Sequence, residues 1–87
     1  MDKTALITGA ARGLGAQIAE SFIAEGANVI INDLNITAAQ ATAERLGGQA
    51  LACDVSDSAS VARMFEDLFE LTDRLDILVN NAGISGI

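Results

Sequence analysis

Lys3-Thr4-Ala5-Leu6-Ile7-Thr8-Gly9-Ala10-Ala11-Arg12-Gly13-Leu14-Gly15 is the stretch on which the rest of the chain depends. The apolar run Ala5 to Ile7 has the length and composition of a buried parallel strand, and it stops at a cluster of glycines. Beyond them Leu14, Ile18 and Phe22 recur every fourth residue. Ala19 and Ile23 widen that stripe, and Glu20 and Glu25 fall outside it, which predicts an amphipathic helix. A strand, a glycine turn and a helix in that order place the first free N–H groups of the helix at the carboxyl end of the strand. There the unpaired donors and the positive end of the helix dipole favour an anion such as a diphosphate. Glycine admits the close approach of phosphate to backbone and the dihedrals of the turn, and Gly15 lets the helix lie against its own strand.

Working outward, Gly26 closes the first helix and Asn28 to Asn32 reads as a second strand with Asp33 at its end. An acid about twenty residues beyond the glycines can accept both hydroxyl hydrogen bonds of an adenosine ribose and repels a 2′-phosphate, so NAD is expected over NADP. A helix from Asn35 or Thr37 to Leu46 follows, with Thr37 a candidate N-cap and Gly47-Gly48 a stop. The third strand is expected over Gln49 to Cys53 and leads into Asp54-Val55. Ser56 or Ser58 opens a third helix carrying Val61, Phe65, Leu68 and Leu75, with Met64 and Leu71 beside them. Its acidic face, Glu66, Asp67, Glu70 and Asp73, reads as solvated surface. Asp76 to Asn80 is the fourth strand, running into Asn81-Ala82-Gly83.

The composition narrows the function classes. Eighty-seven residues allow one small domain of narrow stability, and 51% hydrophobic residues with a mean hydropathy of +0.37 are too apolar for a disordered chain. No apolar run is long enough to span a bilayer, and no secretion leader precedes the first strand, so the expectation is a soluble, cytoplasmic protein with no membrane partner. A net charge of -7 argues against a nucleic-acid surface. Cys53 stands alone and there is no histidine, which leaves no usual transition-metal ligand set and no histidine-activated nucleophile.

The spacing TGxxxGxG over Thr8 to Gly15, together with Asn80-Asn81-Ala82-Gly83, resembles the short-chain dehydrogenase/reductase family over the whole chain. The fold expected is α/β, a Rossmann-type three-layer α/β/α sandwich with a parallel sheet in the order 3-2-1-4, the first two helices on one face and the third on the other. Residues 1–87 would be the N-terminal dinucleotide-binding portion. The resemblance assigns Gly9, Gly13, Leu14 and Gly15 to the diphosphate with Arg12 nearby, Asp33 and Leu34 to the ribose, Asp54 and Val55 to the adenine, and Asn81, Ala82 and Gly83 to the inner cofactor channel. Arg12 matches a position where some members hold a 2′-phosphate, in tension with Asp33. The family's proton transfer runs through a YxxxK pattern with an upstream Ser and an Asn. This sequence has no tyrosine, and its one lysine is Lys3, so no catalytic residue is assigned.

A sheet that ended at the fourth strand would present an open apolar edge, which implies self-association or cover from a further portion of the protein. The function expected is therefore the NAD(H)-binding portion of an oxidoreductase acting on an alcohol or ketone. The alternative is a truncated, non-catalytic module for NAD or an adenine nucleotide. A structural fragment with a vestigial loop ranks below both. A methyltransferase fold, the nearest rival, shares the glycine loop and the acid after the second strand but not TGxxxGxG with Asn-Asn-Ala-Gly.

Overall fold

The computed structural model describes residues 3–82. Three strand–helix units follow one another and a fourth strand closes the order: β1 (Thr4–Ile7), α1 (Gly13–Ala24), β2 (Asn28–Asp33), α2 (Ile36–Leu46), β3 (Gln49–Ala52), α3 (Ser58–Leu71) and β4 (Ile77–Val79). The strands form one parallel sheet in the order β3-β2-β1-β4. Short strands of apolar and β-branched residues flanked by helices are what a parallel sheet covered on both faces requires.

Alternation along the strands divides the core in two. Ala5, Ile7, Val29 and Ile31 face α1 and α2, whose Ala19, Ala39 and Ala43 bring the helix backbones close to the sheet. Leu6 and Ile30 face the other way and pack with Met64 and Leu68 of α3. The helices therefore lie on the two faces as a uniform right-handed crossover demands.

Boundaries differ from the sequence reading where local caps compete with strand and helix propensity. The α2 N-cap is Asn35, whose Oδ1 accepts from the Ala38 N–H at 3.1 Å, not Thr37. α3 opens at Ser58, one of the two starts read from the sequence, and its cap is Asp57, which accepts from the Ala59 N–H. A carboxylate or amide one residue before the helix satisfies the free N–H groups and so moves the start. β3 ends at Ala52 and β4 covers only Ile77–Val79. Leu14, expected on the apolar stripe, is 56% exposed because it lies in the first turn of α1, at the carboxyl end of the sheet. Leu71 and Leu75 also depart from the stripe: Leu71 is exposed, and Leu75 lies past the end of the helix although it still packs on the α3 core.

Candidate functional site

The bend between β1 and α1 is held from both neighbouring strands. On the β2 side the Ala10 N–H donates to the Asn32 carbonyl at 2.9 Å, and the Ala11 N–H donates to Asp33 Oδ2 at 3.3 Å. From α2 the buried Thr42 hydroxyl donates to the Ala11 carbonyl at 2.5 Å. On the β4 side the Thr8 N–H donates to the Val79 carbonyl, the Ala82 N–H donates to Thr8 Oγ1 at 3.1 Å, and Asn81 Nδ2 donates to the Gly9 carbonyl at 3.1 Å. A loop with this many bonds to its neighbours is preorganised, so little entropy remains to be lost when a ligand settles on it.

Two glycines show why this sequence makes that bend. Gly9 has φ +63°, and a Cβ there would stand 3.0 Å from Ala82 Cα. At Gly15 an added Cβ would collide with the Gly9 carbonyl oxygen, approach Asn81 Nδ2 to 2.6 Å and reach Ala10 Cα at 2.9 Å. The glycine motif and the Asn-Asn-Ala-Gly motif are thus one contact: the Asn81 amide, 4% exposed, fills the space that Gly15 leaves. Arg12 holds the N-cap position of α1 in an extended conformation and makes no side-chain cap. The N–H groups of Gly13, Leu14 and Gly15 have no intrahelical acceptor and point from the helix start.

Asp33 ends β2 and is half-buried. Besides the Ala11 N–H it accepts from the Asn35 N–H at 3.2 Å, which leaves each carboxylate oxygen further acceptor capacity. A groove of about 270 Å³ runs from Gly9 and Ala82 past Asp33 and Leu34 to Asp54 and Val55. Leu34 is 71% and Val55 45% exposed on its walls. Asp54 is held in a tight turn: its Oδ1 accepts from the Ser56 hydroxyl at 2.6 Å and from the Ser56 N–H at 3.0 Å. These bonds, the hydroxyl's first, hold the Asp54 carboxyl below the usual aspartate range, so it is an anion at neutral pH.

The structure therefore brings Gly9, Asp33, Leu34, Asp54, Val55 and Ala82 around one groove, with Gly13, Leu14 and Gly15 on the adjoining helix start. Gly83 lies outside the described residues. Sequence reasoning passed over Asn32 and Cys53, which also line the groove, and Thr8 and Thr42, which anchor the bend. Thr8 was legible as the first letter of TGxxxGxG. Thr42 had no signal, because only the packing of α2 brings it to Ala11. Among the described residues no group of three metal-ligating side chains comes together, and no helix is long and apolar enough to cross a membrane.

A parallel sheet in the order 3-2-1-4 with a glycine bend locked to the end of its fourth strand defines a dinucleotide-binding α/β architecture. The chain belongs to the short chain dehydrogenase family, whose model matches residues 3–87. It is 50% identical over 84 residues to a sorbitol dehydrogenase of Cereibacter sphaeroides, covering 94% of this chain and 33% of that protein. Among solved structures, the Pseudomonas aeruginosa RhlG/NADP active-site complex superposes with a TM-score of 0.87 at 43% identity, over 91% of this chain and 34% of that one. Menthone neomenthol reductase from Mentha piperita gives a TM-score of 0.91 at 31% identity, over 99% and 33%. The chain spans about a third of the length of the relatives it matches.

Proposed function

We propose that residues 1–87 are the cofactor-binding portion of an oxidoreductase that moves hydride between a nicotinamide dinucleotide and an alcohol or ketone, with NAD preferred to NADP. The observation that carries this reading is the bend itself. Gly15, Gly9 and Asn81 form a gap that only glycine permits, and the Asp33 carboxylate stands at hydrogen-bond distance from the same loop. When bound, the dinucleotide exchanges hydride with the substrate carbon through its nicotinamide ring. The roles of this chain are to hold and orient it. The N–H groups of Gly13, Leu14 and Gly15 face the diphosphate, with Arg12 beside it, and Asp33 with Leu34 holds the ribose. Asp54 and Val55 meet the adenine, and Asn81 and Ala82 line the inner channel.

The choice of NAD rests on charge. A carboxylate at the ribose repels a 2′-phosphate dianion at close range, while the exposed Arg12 serves a diphosphate as well as a 2′-phosphate. The proton that must reach or leave the substrate oxygen has no tyrosine donor in these 87 residues, so it is supplied by residues beyond them, which also cover the open face of the sheet. The second reading is a nucleotide-binding module without turnover. Intact mass of the cellular product separates the two, a product near three times this length supporting the enzyme.

Calorimetric titration of the full protein with NAD and NADP tests the cofactor assignment. Binding of NAD at least tenfold tighter than NADP is expected. Asp33→Ala narrows that ratio, and an unchanged ratio removes Asp33 from the ribose. Given the sorbitol dehydrogenase relative, sugar alcohols are the first substrates to assay.

A further inference from the structure

The residue before Asp33 carries a hydrogen-bond acceptor that the rest of the fold leaves unused. Asn32 is 1% exposed on β2, in register with Leu51 of β3. Its Nδ2 donates to the Leu51 carbonyl at 3.1 Å and toward the Met64 sulfur at 3.3 Å. Those contacts fix the sense of the amide, because an oxygen in that place would confront the lone pairs of the Leu51 carbonyl. Oδ1 therefore stands on the opposite branch, where none of the hydrogen bonds of residues 3–82 ends on it. No fully buried side-chain oxygen or nitrogen among the described residues lacks a partner, so the small accessibility that Asn32 retains lies at Oδ1. The groove it lines is the one walled by Asp33, Asp54 and Val55.

Resting on the nucleotide reading above, we propose that Asn32 Oδ1 accepts a hydrogen bond from the exocyclic amino group of the adenine and makes the groove select 6-amino over 6-oxo purines. The free polar atoms that Asn32, Asp33 and Asp54 offer to this part of the groove are acceptors. The Asp54 carboxylate is anionic and already bonded on one oxygen to Ser56, and Asp33 is a second carboxylate. Opposite such an acceptor C6 of the purine must carry an N–H donor, which a 6-amino group is and a 6-oxo group, offering only lone pairs at that position, is not. An amide oxygen held in a site of low dielectric gains more from that bond than one in water, since desolvation has already been incurred in the fold.

The test is calorimetric titration of the full protein, wild type and Asn32→Leu, with NAD and with its hypoxanthine analogue. Wild type is expected to bind NAD more tightly, and Asn32→Leu to shrink that preference by about 2- to 13-fold, the range of one net hydrogen bond. A preference unchanged by the substitution, with NAD still bound, overturns the role of Asn32 and leaves the nucleotide reading standing. Should Asn32→Leu fail to fold, the wild-type side-chain Cγ resonance decides: AMP at saturation shifts it and IMP does not, whereas no shift with AMP overturns the proposal. A wild type that binds neither NAD nor AMP removes the nucleotide reading and this inference with it.

Discussion

The two faces of the sheet are unequally covered. The face toward α1 and α2 buries Ala5, Ile7, Val29 and Ile31 to 1% exposure or less, and its partly buried neighbours Ile18, Phe22 and Ile23 complete a continuous apolar layer. The face toward α3 has Leu6 and Ile30 fully buried, yet Leu78 on β4 remains 57% exposed and borders an apolar groove lined by Val61 and Phe65. The difference is one of helices per strand. Two crossover helices serve β1 and β2 on one side, while on the other, among the described residues, α3 alone lies over the sheet and leaves Leu78 of β4 exposed. A sheet face this apolar, ending in an open edge, is the kind of surface that soluble proteins cover.

Substitutions that probe both faces in the full protein sharpen this contrast. Ile7→Ala, on the closed face, is expected to cost about 2–5 kcal/mol in urea denaturation, the range for deleting a large buried side chain. Leu78→Ala is expected to cost about 2 kcal/mol or more if, as the proposed reading requires, the full protein buries that face. A loss below about 0.5 kcal/mol, typical of exposed positions, would show the α3 side open to water and would sink that expectation.

The bend above the closed face gives the next tests. Gly15→Val forces a side chain onto the Gly9 carbonyl and the Asn81 amide, so stability falls by about 1–3 kcal/mol and NAD binding falls with it. Retained NAD affinity in a folded Gly15→Val protein would separate the glycine gap from the ligand site. Thr42→Val removes the donor to the Ala11 carbonyl, with an expected loss of about 1–3 kcal/mol, since a buried acceptor is left without its partner.

The smallest effect lies at the amino end of the sheet. Arg74 is bonded to Asp76 at 2.6 Å and, with the Thr4 N–H, holds the Asp76 carboxyl below its ordinary range. A carboxyl lowered in the folded state contributes stability above its unfolded value and loses it as pH falls through the folded one. Acid titration of the urea midpoint from neutral pH to about pH 3 should therefore fall less steeply in Arg74→Ala than in wild type. Identical acid limbs would show that the pair does not couple to folding, as many exposed pairs do not.

Much of the fold was legible because it is written in local terms. Apolar runs of strand length, the helical stripe through Ile18 and Phe22 and the glycines that end the first two helices predicted the element order, and the resemblance carried by the glycine and Asn-Asn-Ala-Gly motifs implied the sheet order 3-2-1-4. Leu14 misled because helical periodicity carries no information about where the sheet beneath a helix stops. Thr37 and Ser56 misled because Asn35 and Asp57, one residue from the helix starts, compete for the same N–H groups. The groove residues Asp33, Asp54 and Val55 could be singled out from their motifs, whereas Asn32 looked like any strand residue.

By itself, then, the sequence determined the alternation of strands and helices, the glycine bend and the acid after the second strand, since each depends on neighbours within a turn or two of chain. Only the tertiary structure decided that Asn81 fills the gap at Gly15, that Thr42 ties α2 to Ala11, and that the spare oxygen of Asn32 opens onto the groove beside Asp54. Those contacts join residues 22 to 66 positions apart, and the parallel crossovers that bring them together leave no periodic trace in the chain.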